Sequence, residues 1–168
     1  MFRSLAALCL VAAPLLTAFA ADEPVATEFV SKEGKFKATF PTKPETTEAK
    51  PKGGFAVTTT TAIPKPGQVF TVTYFDLPID IPADKAKETL VALAGGIKGK
   101  TLSDKEVAVG KDKLPGRDAV YELPNAHIRQ LMILDGKRIY QVIVGGPTKE
   151  DVTSKAADKF VDSFQVTK

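Results

Sequence analysis

The sequence predicts an α+β domain, with a central, mostly antiparallel sheet flanked by helices. Two observations lead there. Beyond residue 20 the chain reads mainly as short runs with a two-residue apolar period between Gly, Pro and Asp turn signals; only two segments show the period of about 3.6 of an amphipathic helix. Their order, strands then helix then strands then helix, also lacks the repeated βα alternation of a doubly wound parallel sheet.

The first element is basic and yet patterned for burial. In "SKEGKFKATFPTKPE" (31–45), Phe36, Ala38 and Phe40 fall on one face and Lys35, Lys37 and Thr39 on the other, with Pro41 ending the run. Residues 27–31 form a short strand before it, joined through Glu33-Gly34, so the pair reads as an opening hairpin. Residues 42–54 hold two prolines, two glycines and no large apolar side chain, and are expected to form a polar surface loop. Two β-branched and aromatic runs, 55–63 and 68–76, flank "PKPG" and make a second hairpin.

After "LPIDIP" the period changes. Ala86, Leu90, Leu93 and Ile97 share one side of a helix and Lys85, Lys87 and Glu88 the other, and the helix should fray at Gly95-Gly96. Four strand-like segments follow, 103–111, 116–123, 126–134 and 137–145, and Asp135-Gly136 signals a two-residue type I′ hairpin between the last two. Those last two carry apolar residues at both parities, as central strands covered on both faces do, so Arg129, Gln130 and Gln141 need partners. Thr148 is an N-cap for a terminal helix with Val152, Ala156, Phe160 and Ser163 on one stripe, and "SFQV" ends it in a last short strand.

Residues 1–20 read as a signal peptide: Arg3 is the positive n-region, 5–16 the apolar stretch, and Ala18-Phe19-Ala20 the small-residue cleavage site. The expectation is a secreted or periplasmic protein cleaved near Ala20. A spanning helix fits less well, because the apolar stretch is short for ~30 Å of hydrocarbon and Pro14 interrupts it. A lipid anchor on Cys9 does not fit, since Leu8 stands where a small residue belongs. Cleavage removes the one cysteine, leaving no disulfide, thiol nucleophile or sulfur ligand. Residues 21–168 are then a single domain, large enough to bury about two-thirds of its unfolded surface.

The net charge is +3, about +2 once Arg3 is removed, and lysines alternate with acids along the whole chain. With no Trp, no RNA-binding aromatic motif and no basic helical stripe, nucleic acid is not an expected partner.

The segments "EGKFKATFPTKP", "LPGRDAVYEL", "DGKRIYQVIVGG" and "KFVDSF" together resemble exported bacterial domains of unknown function that are similar to the PsbP-like fold, shared by a photosystem oxygen-evolving subunit and a Ran-binding nuclear import factor. The resemblance spans Phe29 to Phe164 and implies a PsbP-like α/β/α sandwich over 21–168. Its motifs are structural: a strand entering a proline stop, a turn at Pro115-Gly116, a hairpin, and a helix anchored by Phe160 and Phe164. No photosystem-binding or metal residue maps onto this chain. What the resemblance implies is a binding or assembly module more than an enzyme.

Candidate chemistry is sparse. His127 is the one histidine; as a general base it needs a nucleophile and an orienting acid, with Ser103, Asp118 and Glu122 available in the sequence. One histidine without cysteine does not suit zinc. Asp76, Asp80 and Asp84 are oxygen ligands in type, but they lack the glycine and ligand spacing of a calcium loop, and surface acids with an N-cap account for them. Gly95-Gly96 and Gly145-Gly146 end elements and lack phosphate-loop spacing. Arg117, Arg129 and Arg138 would hold an anion or acidic partner if they converge, with His127 beside them; otherwise they are unrelated surface arginines. The row Lys35, Lys37, Lys43, Lys50 and Lys52 reads as a solubilising face that keeps an edge strand from pairing, in preference to an anionic-surface contact.

The expected function is thus an exported, non-catalytic binding or assembly module of the bacterial envelope: a monomer acting on a protein or envelope component, without cofactor, metal or a stable membrane anchor after cleavage. A small-molecule or ion binder with a pocket between helix and sheet is the alternative, and a hydrolase-type enzyme using His127 the third reading.

Overall fold

The computed structural model describes residues 25–50 and 54–168; the signal-peptide expectation for 1–20 lies outside the described residues. Strands β1 (Thr27–Ser31) and β2 (Phe36–Phe40) form the opening hairpin. β3 (Glu45–Ala49), β4 (Val57–Lys65) and β5 (Gln68–Asp76) come next, then a 3₁₀ turn (Ala83–Lys85) that runs into α1 (Ala86–Ala94). β6 (Lys100–Val109), β7 (Leu114–Leu123), β8 (Ala126–Asp135) and β9 (Arg138–Gly146) make a meander. The chain finishes with α2 (Lys149–Thr153), α3 (Lys155–Ser163) and β10 (Gln165–Val166).

Two sheets result, antiparallel throughout. A seven-stranded sheet has the order β3-β4-β5-β9-β8-β7-β6, and a three-stranded sheet the order β1-β2-β10. The large sheet is the middle layer. α1 covers one face, where Ala86, Leu90 and Ala94 pack on Met132, Leu134 and Ile139. The small sheet and α3 cover the other, setting Phe36, Phe40, Phe160 and Phe164 over Phe70, Val72, Leu131, Ile133, Tyr140 and Val142. Alternate residues of β8 and β9 thus enter opposite clusters, as the two-parity pattern required.

Fully burying each large apolar side chain contributes about 1.5–3 kcal/mol. Close aromatic pairs add directionality: Phe40 and Phe160 lie 4.9 Å apart, Phe36 and Phe164 5.6 Å, Tyr140 and Phe164 5.4 Å. The Tyr140 hydroxyl crosses the interlayer and donates to the Gly34 carbonyl at 2.8 Å, and burial raises the phenol's pKa. Gly34 is required there, because a Cβ would meet the Tyr74 ring at 2.7 Å and the Phe36 ring at 2.8 Å.

The structure departs from the sequence reading at several points. Within 42–54 lies β3, an exposed strand that pairs with β4 from Glu45↔Thr61 to Ala49↔Val57; backbone pairing, with Thr46 and Thr60 hydroxyls 3.0 Å apart, holds a strand that has no apolar face to announce it. β2 is the middle strand of its sheet, so its lysines protect no edge. The second outer layer is part sheet and part helix, not helices alone. The β8–β9 turn is Gly136-Lys137 with positive φ at Gly136 only, the II′ pattern in place of I′. Asp84 caps nothing, since Pro82 precedes the 3₁₀ turn without a side-chain cap. The terminal helix breaks at Ser154, which shifts the buried stripe to Val152, Ala157, Phe160 and Val161 and leaves Ala156 exposed.

Candidate functional site

The three arginines do not converge. Arg117 lies on the α1 face of β7 and pairs with Asp104. Arg129 lies on the opposite face of the sheet, from β8, and is bidentate to Asp118 at 2.8 and 3.1 Å while its Nη1 donates to Asp158 of α3 at 2.6 Å. Those hydrogen bonds to carboxylates raise its pKa further. Arg138 is bidentate to Asp76 at 2.6 and 2.8 Å, donates to the Glu33 carbonyl at 2.9 Å, and stands 5.1 Å from the Tyr74 ring centre. Its guanidinium holds the Asp76 carboxyl below the usual range. Val144 faces Arg129, six residues along β9 from Arg138, a separation of about 20 Å at ~3.3 Å per residue. Each arginine is matched by a carboxylate, and Arg129 and Arg138 tie separate layers together.

His127, the second residue of β8, lies opposite Glu122 and Gly146. Its Nδ1 is 3.3 Å from the Pro147 carbonyl oxygen, while the Glu122 carboxylate accepts from Lys100 at 3.3 Å. Ser103 faces Val120 from β6, with β7 between it and β8, and Asp118 is engaged by Arg129. Of Ser103, Asp118 and Glu122, the fold sets only Glu122 beside His127. Asp76 is in its ion pair, and no group of three His, Cys, Asp or Glu side chains suited to a metal occurs among the described residues. Lys37 is half-buried on β2, Lys35, Lys43 and Lys50 are exposed, and Lys52 lies outside the described residues.

A different place forms a concavity. A groove of about 690 Å³ opens between the end of the β6–β7 hairpin and the α3–β10 segment. Leu131, Val161 and Phe164 are among its lining residues, Val107 and Val109 stand on the β6 side, and Val166 on the β10 side. The small sheet ends at β10 and the large one at β6, and the groove lies where neither sheet continues.

Asp118 lines the groove, but its charge is met by Arg129. At the rim Asp112 stands 3.8 Å from Lys168, while Lys111 and Asp162 have no ion pair among the described residues. Apolar surface inside and single charges outside suit an apolar segment with polar flanks. The sequence carried two faint signals of this place: the uncharged "VAVG" at the end of a charge-rich strand, and the brevity of "QV" after the last helix.

No family model matches the chain, and no curated protein does. Among solved structures it is similar to the solution structure of cyanobacterial PsbP (CyanoP) from Synechocystis sp. PCC 6803, with a TM-score of 0.58 over 92% of this chain and 99% of that one. The fold is PsbP-like. Sequence identity is 11%, so what the PsbP-like likeness carries is the layered architecture, in agreement with the resemblance read from the four segments. No helix among the described residues is long and apolar enough to cross a membrane.

Proposed function

We propose that this protein is an exported, non-catalytic binding or assembly module of the bacterial envelope, and that it holds a polypeptide partner in the groove between α3–β10 and the β6–β7 hairpin. The observation that carries this reading is the groove itself: an opening into the interlayer of mixed character, with Val107, Val109 and Val166 along its walls and charges at its rim. Its volume of about 690 Å³ is within the span of small-ligand sites too. A small ligand, however, is oriented by polar groups converging inside the site, and Asp118 is already engaged by Arg129. A polypeptide needs apolar surface in the middle and charges at the edge, as found. The non-catalytic part of the reading is supported by the pairing of all three arginines with carboxylates and of His127 with a backbone carbonyl.

The test is affinity capture from an envelope extract of the source organism, with the chain starting at Ala21 as bait, washed at low and at high salt and read by mass spectrometry. One protein should survive the high-salt wash and be lost when the bait carries Val166→Asp. Retention undiminished by Val166→Asp would place the contact elsewhere and sink the groove reading. An empty capture together with a metabolite that raises Tm would favour the small-ligand reading, and hydrolysis abolished by His127→Ala would overturn the non-catalytic one.

A further inference from the structure

The groove runs between two strand edges that have no partner among the described residues. β6 and β10 are the terminal strands of their sheets, each paired on one side only. Successive side chains of a strand point to opposite faces, so a wall made by a sheet face alone would show alternate residues. Here Val107, Ala108 and Val109 line one wall in succession, and Phe164, Gln165 and Val166 the other. The groove therefore follows the backbone edges.

β6 is protected along most of its length and open at its end. Lys100, Asp104, Lys105 and Glu106 carry charge, and the register with β7 shifts between Thr101 and Ser103; charges and irregularities of this kind keep edges from pairing. Val107, Ala108 and Val109 have neither, and it is their stretch that borders the groove.

Backbone direction can be worked out from register. Hydrogen-bonded and non-bonded pairs alternate along an antiparallel ladder. Pro115 faces Ala108 and has no N–H to exchange with it. Counting inward from the two-residue turn that closes Asp135 on Arg138, through β8 and β7, gives the same phase. Ala108 is thus in a non-bonded pair, and its N–H and C=O point away from β7 toward the free edge.

We propose that the groove takes an extended polypeptide segment as an added strand on β6, paired through the outward N–H and C=O of Ala108, with alternate apolar side chains entering between the two sheets. This rests on the binding-module reading and names how the partner is held. Charge sets the partner's chemistry: Lys111 and Asp162, both without an ion pair among the described residues, call for an acidic and a basic residue flanking the apolar ones. β10, with two residues, is too short an edge to set register.

The probe is a fluorescein-labelled ten-residue peptide alternating valine and threonine, with a lysine at one end and a glutamate at the other. Its binding to the chain from Ala21 is read by fluorescence anisotropy, beside two versions N-methylated on alternate residues in opposite phase. Methylation removes backbone donors while keeping every side chain. One phase should lose about tenfold or more in affinity, as one or two backbone hydrogen bonds would, while the other retains binding. Ala108→Pro should produce the same loss with an unchanged melting curve; if that variant fails to fold, the methylated peptides on the native chain decide.

Equal binding of all three peptides would overturn strand addition and leave the groove reading standing. A phase-dependent loss that Ala108→Pro, correctly folded, does not reproduce would also overturn it, because another edge would then be in use. No binding at millimolar peptide overturns it too; the groove reading falls separately, on the capture with Val166→Asp.

Discussion

Asp151 shows how much one side chain can do in this protein. It accepts from the Thr148 backbone N–H at 3.1 Å and hydroxyl at 2.7 Å, and from Lys65 at 2.9 Å, closing a capping box at the start of α2. Those hydrogen bonds, first from Thr148 and then from Lys65, bring its pKa from 3.8 down to about 2. A folded-state pKa below the unfolded one means that the unfolded chain takes up the proton first as pH falls. Asp151's contribution should therefore be complete above about pH 4 and fade as pH falls toward 2. Urea unfolding of the native protein and of Asp151→Asn across that window should give a stability difference that shrinks with acid; a constant difference would refute the assignment. Arg138 is the other residue of this kind. Arg138→Met leaves Asp76 and the Glu33 carbonyl without their donors and should cost about 1–3 kcal/mol. In a double-mutant cycle with Asp76→Asn, a coupling near zero would show that the bidentate pair contributes nothing.

At the scale of elements, helix α3 depends on the break that precedes it. Ser154, at φ −73° and ψ 162°, ends α2 and accepts from the Ala157 N–H at 3.3 Å, starting a second helix in a new phase. Ser154→Ala should cost about 1 kcal/mol in urea unfolding, as loss of an N-cap does. A variant as stable as the native chain would mean that packing alone places α3. This break is why no single stripe runs through Ala156: a periodic pattern assumes an unbroken helix, and one extended residue resets it. β3 was hidden for a related reason. Its five residues are all exposed, so its ladder with β4 produces no apolar alternation to read. The strands β2, β5, β8 and β9 were legible because their alternating apolar residues are the core itself.

For the molecule as a whole, the interlayer between the two sheets is where stability concentrates. Phe160 touches both sides of it, 4.9 Å from Phe40 and 5.3 Å from Phe70, and is 1% exposed. Phe160→Ala should cost about 3–5 kcal/mol by calorimetry or urea unfolding. A loss below about 1 kcal/mol would mean that the small sheet and α3 dock only loosely on the large one. Because Cys9 is the one cysteine, the chain from Ala21 should melt at the same temperature with and without reductant.

The α+β class, the order of the main strands and helices, the buried aromatic positions and the Thr148 cap are legible in the chain. All of these are written in local propensity and in periods of two and 3.6 residues. That Arg117, Arg129 and Arg138 stand apart, that β10 joins β2, and that the interlayer opens beside β6 emerges from long-range packing alone. Each depends on which segments distant in sequence become neighbours: the Gln165↔Lys37 pair spans nearly the whole described chain, and no local pattern encodes where a two-residue strand will stop.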